Sequence, residues 1–232
     1  MSTYVCSDIH GRYDRYLKLF NYVKDTDTLY ILGDCIDRHD GGIDILKDIM
    51  KRKNIKMIRG NHEDMMIRSQ YDREWFDIWN LPNNGGTVTY NKFISLLKSE
   101  REEIEEFLKS LPIFYRIKVG ENSFYLGHAS VAPESEYPME VLYEEDVNSE
   151  YVINFLVWES PFKHPMLLPK QEDNKYNILG HVYVQHFNKF GKIEKFGNTF
   201  DIDGGCALPI EEDKYTNLIL LRLDDFEEIY IK

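Results

Sequence analysis

Five short segments of the sequence place carboxylate, imidazole or amide side chains directly after an apolar run. The first two read Ser-Asp-Ile-His-Gly at 7–11 and Gly-Asp-Cys-Ile-Asp-Arg at 33–38. The third reads Gly-Asn-His-Glu at 60–63, and the last two are Gly-His pairs at 127–128 and 180–181. Oxygen and imidazole donors together favour a divalent ion such as Mn, Fe or Zn over Mg or Ca.

Each of these residues, taken alone, has an ordinary structural explanation. An Asp ahead of a helix is usually a cap, and a single His at a strand end usually makes a structural hydrogen bond. A buried cluster of carboxylates is harder to explain, because such groups must be paired or must hold metal. The repetition of the pattern along the chain therefore favours a metal site over coincidence.

The elements that must position these side chains are short strands. Apolar runs at 3–6, 28–33 and 55–60 are separated by helical patterns at 13–24 and 41–53. Such alternation predicts βαβ units and a largely parallel sheet. Because the carboxyl ends of parallel strands lie along one edge, we expect the polar segments to converge there.

The rest of the chain predicts a helical segment and a second sheet. The pattern is helical from 63 to 110, with one helix over 91–111, and the loops from 133 to 175 include a helix around 148–157. Closely spaced strands after residue 175, running to the C-terminus, predict a second sheet of mostly antiparallel strands. We expect the helical segment and the loops to frame the cleft.

Composition limits the classes of partner. The 232 residues, 43% hydrophobic and 29% charged, predict a single domain over 1–232. A net charge of −12 argues against nucleic acid and anionic membranes as partners. Three Cys without a CxxC pair, no basic-then-apolar leader and no long apolar run predict a cytoplasmic protein.

In this order, the five motifs resemble those of the calcineurin-like metallophosphoesterases. The chain is most similar to their phosphoprotein phosphatase branch, in its compact bacterial and phage form, which acts on phosphoserine and phosphothreonine. An Asn-Gly-Gly segment within 81–90 adds to the resemblance, which extends from about residue 3 to 223. The resemblance implies an α/β fold, a four-layer α/β/β/α sandwich of two mixed β-sheets.

The resemblance also implies two divalent metal ions, with Mn favoured and Fe or Zn as alternatives. Asp34 would bridge the two ions, because a carboxylate between them offsets their mutual repulsion. The implied ligands of the first ion are Asp8, His10 and Asp34, and those of the second are Asp34, Asn61, His128 and His181.

Catalytic roles follow from the same resemblance. The ions would lower the pKa of a bridging water and supply hydroxide for attack on phosphorus. His62 would protonate the leaving alkoxide as general acid, with Asp37 orienting its ring. Arg38 would bind the phosphate oxygens and stabilise charge in the transition state.

Two departures from the family pattern concern the site. Ser7 stands where relatives usually have Gly, a substitution that its small size should allow. Relatives carry a phosphate-binding Arg just after the residue equivalent to Trp158, but this chain has Glu159 and Ser160 there. We therefore hypothesise that Lys163 contacts the substrate phosphate instead.

The function predicted from these observations is hydrolysis of phosphomonoesters, on Ser/Thr or Tyr phosphoprotein or on a small phosphoester. An alternative in the same class is a dinucleoside polyphosphate hydrolase acting on diadenosine tetraphosphate. An alternative of another class is a catalytically silent, metal-bound interaction scaffold. Such scaffolds typically lose the general acid or its carboxylate partner, whereas this chain keeps His62, Asp37 and Arg38.

Overall fold

A computed structural model describes residues 1–132, 141–142 and 150–232 of the chain. The first sheet contains β1 (Thr3–Cys6), β2 (Thr28–Ile31), β3 (Ile55–Met57), β10 (Leu218–Arg222) and β11 (Glu228–Ile231). Its strand order is β11-β10-β1-β2-β3. The first three strands are parallel, as the alternation of strands and helices predicted, while β10 and β11 pair antiparallel.

The second sheet lies in the order β6-β4-β5-β7-β9-β8. At its centre β5, β7 and β9 are parallel, and β4, β6 and β8 pair antiparallel with their neighbours. Its strands are β4 (Phe114–Val119), β5 (Asn122–Gly127), β6 (Val141–Leu142), β7 (Lys175–Leu179), β8 (Glu194–Phe196) and β9 (Thr199–Asp201).

The prediction that all strands after residue 175 form a mostly antiparallel second sheet is wrong. The last two, β10 and β11, belong to the first sheet, where Val5 of β1 pairs with Leu221 of β10. The strands β7 and β9 run parallel to β5 because long connections return the chain to the same end of the sheet. Close spacing of strands along the sequence does not reveal such crossovers.

Seven helices are present in the described part of the chain. The predicted helical character of 63–110 is confirmed, but the single helix predicted over 91–111 is two helices. The second of these begins after Leu97, whose N–H donates to the Glu100 carboxylate at 3.0 Å. The helices are α1 (Tyr13–Lys18), α2 (Gly42–Ile49), α3 (Asn61–Arg68), α4 (Arg73–Trp79), α5 (Gly86–Ile94), α6 (Lys98–Lys109) and α7 (Glu150–Trp158).

The helix expected around 148–157 corresponds to α7. The loops predicted at 133–140 and 143–149 lie outside the described residues. Among the helices that the structure describes, none combines the length and apolar character that a bilayer span requires.

Three apolar layers join the elements into an α/β/β/α sandwich, as predicted. Tyr4 and Cys6 of β1 pack against the helices on one face of the first sheet, while Val5 faces the second sheet. In β5, Phe124 likewise faces the first sheet, and Tyr125 packs on the opposite face with α7. Because side chains alternate across a strand, both sheets are buried on two faces and their ends form the open edge of the sandwich.

Candidate metal centre and active site

The carboxyl ends of the parallel strands bring the predicted metal ligands together. Each of β1, β2, β3, β5 and β7 is followed within four residues by at least one of them. All six are fully buried except His181, which is half-buried. The side chains concerned are Asp8, His10, Asp34, Asn61, His128 and His181.

Several of these residues have a left-handed backbone that side chains other than Gly seldom adopt. The φ angles are +54° at Asp8, +47° at His10, +54° at Asp34 and +72° at His181. Such conformations cost of order 1–3 kcal/mol each and cluster at functional sites. The turns after the strands therefore hold strained backbone conformations that orient these side chains toward the site.

The Glu of the Gly-Asn-His-Glu motif holds two of these turns together. The buried Glu63 carboxylate accepts the N–H groups of Asp34 at 2.8 Å, Cys35 at 2.9 Å and Gly60 at 3.0 Å. Gly60 also allows close approach, since a Cβ there would lie 2.2 Å from Asp34 Oδ1. Glu63 thus fixes the turn after β2 against the start of α3.

The protonation of two histidine rings follows from their partners. His10 Nδ1 lies 3.1 Å from the Ile36 carbonyl oxygen, and His128 Nδ1 lies 2.7 Å from that of Leu32. Because a carbonyl only accepts, each Nδ1 carries the proton and each Nε2 presents a lone pair. Both Nε2 atoms lie 3.5 Å from an oxygen of Asp34. Lone pairs facing a carboxylate repel it, and a cation between them would remove this repulsion.

A second set of acceptors converges at Asn61. Its Oδ1 lies 2.9 Å from His128 Nε2 and 3.0 Å from His181 Nδ1. The His181 ring also hydrogen-bonds the Trp158 backbone. A backbone carbonyl on the outer nitrogen of a ligating histidine is the usual arrangement around metals in proteins.

Asp8 is held by one carboxylate oxygen only. Its Oδ2 accepts the hydroxyl of Ser7 and, at 3.0 Å, the N–H of His181. Its Oδ1 is buried and has no hydrogen-bond partner among the described residues. This Oδ1 lies 3.8 Å from His10 Nε2. It is therefore available as a further ligand atom for an ion.

The electrostatics of the cluster are those of a cation site. Burial, reinforced by the nearby Asp8 charge, raises the pKa of Asp34 well above its ordinary value. Burial lowers the pKa of His10 and of His181 well below the usual value for histidine. Neutral imidazoles and a carboxylate that lacks a counter-charge fit divalent ions.

Among the described residues, two groups of potential ligand atoms share Asp34. One joins His10, Asp34 and His62, the other Asp34, His128 and His181, with the atoms of each group within 4.8 Å of one another. The residues therefore fit two ions with Asp34 between them. This grouping differs from the predicted ligand sets in placing His62, rather than Asp8, beside His10 and Asp34.

His62 has a second attachment that distinguishes it from the other histidines. Its Nδ1 lies 2.6 Å from Asp37 Oδ2, while its Nε2 lies 3.8 Å from Asp34 Oδ2. Burial raises the pKa of Asp37 to about 7, opposed by Thr89, Trp79 and the Arg38 charge. An imidazole whose Nδ1 contacts a carboxylate and whose Nε2 faces the candidate ion site is suited to proton transfer.

Arg38 lies at the same end of the cluster. Its charge adds to the effect of burial in lowering the pKa of His62. The Asn-Gly-Gly segment packs behind it: Gly85 has a φ of +72°, and a Cβ there would lie 3.0 Å from Arg38 Cδ. Glycine at this position lets the loop support the Arg38 side chain.

Lys163 follows α7 in the chain. It is exposed, and its charge helps to lower the pKa of His181, after burial and His128. Glu159, at the position where relatives have Arg, is exposed and lies 3.6 Å from His164. Lys163 is therefore a cation whose charge acts on His181, one of the histidines near Asp34.

Two residues at the site were not predicted from the sequence. Asp203 follows β9 and is buried, with its pKa raised by burial and by the Asp8 charge. Its Asp-Gly-Gly segment repeats the strand-end pattern of the other motifs, which could have identified it. Trp79 donates its indole N–H to Asp37 at 2.7 Å, and no local pattern marks that contact.

Comparison with known proteins defines the class. The sequence profile of the calcineurin-like phosphoesterases matches residues 1–185. The chain belongs to this family, whose members are phosphoester hydrolases that use divalent metals.

Individual relatives agree with this assignment at the level of the family. The chain is 37% identical over 67 residues to symmetrical bis(5'-nucleosyl)-tetraphosphatases of Salmonella paratyphi B and Salmonella typhimurium. That match spans 27% of this chain and only 24% of the length of these curated relatives.

Solved structures share the fold over nearly the whole chain. A protein provisionally assigned as a diadenosine tetraphosphatase is 14% identical, with a TM-score of 0.64 over 99% of this chain and 92% of that one. A serine/threonine phosphatase from Saccharomyces cerevisiae is 14% identical, with a TM-score of 0.61 over 100% and 80%. At this identity the likeness shows the fold alone.

Proposed function

We propose that this protein is a two-metal phosphomonoesterase and that its substrates are Ser/Thr phosphoproteins, with phosphotyrosine also accepted. The observation that supports this most directly is the position of the His62–Asp37 pair. Its imidazole opens onto the carboxylate that both ligand groups share, so an acid lies next to the place where a phosphate would bind. A metal site with only a structural role would not need such an acid and its carboxylate partner.

The ion ligands that we propose are those implied by the family pattern. Asp8, His10 and Asp34 would hold one ion, and Asp34, Asn61, His128 and His181 the other. Mixed nitrogen and oxygen donors favour Mn, with Fe or Zn as alternatives. When bound, the ions supply Lewis acidity that activates water and neutralises phosphate charge.

The remaining steps belong to the side chains. Arg38 binds the phosphate oxygens through its planar guanidinium, and Lys163 adds a point charge. His62 donates the proton on Nε2 to the leaving oxygen as the P–O bond breaks. The Nδ1–H of His62 donates to the Asp37 carboxylate throughout, which fixes the ring and stabilises its charged form.

A second candidate is hydrolysis of dinucleoside tetraphosphates. It is favoured by the 37% identity over 67 residues to the symmetrical tetraphosphatases. The proposed ions, Arg38 and His62 would act in the same way on a phosphoanhydride. The two candidates therefore differ in the substrate-binding surfaces around the site.

We further propose that residues 1–232 act as one metallophosphoesterase domain, with the segments 63–110 and 133–175 framing the cleft. We assign it to the cytoplasm, with phosphoprotein or a small phosphoester as its partner. The support is that Cys6, Cys35 and Cys206 are all buried and free, as in a reducing compartment.

The test is a substrate panel with purified protein and Mn. Phosphoserine, phosphothreonine and phosphotyrosine peptides are compared with diadenosine tetraphosphate and p-nitrophenyl phosphate, and His62→Ala is the control. Highest kcat/KM on a phosphopeptide supports the first candidate, and highest kcat/KM on the tetraphosphate supports the second. Turnover no faster than that of the control on every substrate would reject both and favour the silent scaffold.

A further inference from the structure

The carboxylate of Asp37 receives two N–H donors on the same oxygen. His62 Nδ1 lies 2.6 Å from Oδ2, and the indole Nε1 of Trp79 lies 2.7 Å from it. The other oxygen, Oδ1, is buried and has no hydrogen-bond partner in the described part of the chain. The indole therefore acts on the one oxygen that orients the imidazole.

Packing fixes the direction of the indole N–H. Trp79 is the last residue of α4 and is only 2% exposed. A Cβ at Gly86 would lie 2.6 Å from its Nε1 and 2.5 Å from its carbonyl oxygen, so glycine leaves the room that the indole occupies. The ring of Tyr90 packs edge-on against it at 6.3 Å.

The main chain of Asp37 is held by the same segment. Its φ is +69°, in the left-handed region, and its N–H donates to Thr89 Oγ1 at 2.9 Å. The segment from Trp79 to Thr89 thus contacts Asp37 through both backbone and side chain. This segment lies outside the sheets, so the position of the carboxylate depends on how α4 and α5 pack.

We propose that Trp79 is a positioning residue for the general acid, which it aligns through Asp37. The inference rests on the proposed function, in which the His62 Nε2 proton passes to the leaving oxygen as the P–O bond breaks. With Oδ2 fixed by the indole, the Nδ1–H bond of His62 has one direction, and Nε2 is presented to the leaving group. Trp79 itself transfers no proton.

The test uses the dependence of the rate on the leaving group. Phenolate has a conjugate-acid pKa of about 10, like tyrosine, and needs a proton on departure, whereas p-nitrophenolate leaves without one. In Trp79→Phe, kcat on phenyl phosphate should fall about tenfold, as for other residues that orient catalytic groups. On p-nitrophenyl phosphate it should change less than about twofold. KM and the number of bound ions should be unchanged.

Trp75→Phe is the matched control, because Trp75 is a half-buried residue of the same helix. It should leave both rates unchanged. Equal loss on both esters in Trp79→Phe, or no loss on either, overturns the proposal. Wild-type protein that hydrolyses neither ester contradicts the proposed function itself, and with it this role for Trp79.

If Trp79→Phe does not fold, a second measurement tests the hydrogen bond from Trp79 to Asp37 on which the proposal depends. The protein has three Trp, so Trp75→Phe and Trp158→Phe assign the indole N–H resonance of Trp79 by elimination. In the wild type this resonance should lie downfield of the other two and exchange slowly, and Asp37→Asn should shift it upfield. A resonance that does not respond to Asp37→Asn overturns the proposal.

Discussion

Replacing Asp34 by Asn should stabilise the metal-free protein while abolishing its stabilisation by metal. Asp34 is 2% exposed, and the Nε2 lone pairs of His10 and His128 face its carboxylate at 3.5 Å. Asn keeps the shape and can still accept the His62 N–H that Asp34 Oδ1 accepts at 3.1 Å. The substitution therefore removes a buried charge and little else.

The size of the effect depends on pH. Because burial raises the folded-state pKa of Asp34 above the unfolded value of about 3.9, the folded state binds more protons. The stability of the metal-free wild type therefore falls as pH rises from about 4 toward the folded pKa. The Asp34→Asn variant has no such group and does not lose stability in this way. Uncompensated buried polar groups cost about 1–3 kcal/mol, which corresponds to about 2–12 °C in Tm for a chain of this length.

The assay is thermal unfolding of both proteins after chelation, at about pH 8 and about pH 5, with and without added Mn. Metal-free Asp34→Asn should melt higher at about pH 8, and the gap should shrink at about pH 5. Mn at about a hundred times its Kd should stabilise only the wild type, by about 2.7 kcal/mol for each ion bound. The order of the two Tm values should thus reverse when Mn is added.

Asp64 provides a matched control, since it is equally buried but ion-paired. Its carboxylate lies 2.7 Å from Arg68 and 3.6 Å from Arg59. Asp64→Asn should lower Tm with and without metal, because it leaves a buried guanidinium undercompensated. If metal-free Asp34→Asn also melts below the wild type at about pH 8, Asp34 is a structural group and the reasoning fails.

Three further substitutions address individual roles. His62→Ala should lower kcat on phenyl phosphate by about a hundredfold or more while two ions remain bound in calorimetric titration; loss of one ion would make His62 a ligand instead. Ser7→Gly removes the hydroxyl that holds Asp8 Oδ2 and should weaken Mn binding about tenfold by calorimetry, so an unchanged Kd would contradict this role. Lys163→Ala should raise KM for the preferred phosphoester about tenfold, with Lys163→Arg retaining affinity; unchanged KM and kcat in Lys163→Ala would exclude a phosphate contact.

Much of the site could be predicted because its determinants are local. A buried strand followed by a polar turn is visible in a few consecutive residues, and parallel strands must bring such turns to one edge. The segment that carries Asp8 and His10 is an example, since both side chains follow directly from where β1 ends. Both groups of potential ligand atoms share Asp34, but its bridging role was implied by the family resemblance and not by this rule.

Interactions that the sequence did not predict depend on packing between distant elements. The indole of Trp79 meets Asp37 across 42 positions because α4 and α5 fold over the turn after β2. The placement of β10 beside β1 likewise joins residues more than 200 positions apart, and an apolar run suits either sheet equally well.

By itself, then, the sequence determined which side chains stand at the strand ends and in what chemical types. Only the tertiary structure decided which nitrogen of each histidine faces the candidate metal site, because that depends on distant carbonyls such as Leu32, 96 positions from His128. It also decided what holds the general acid in place. The physical reason is that strands and turns are specified by neighbouring residues, whereas hydrogen-bond partners are specified by the packing of whole layers.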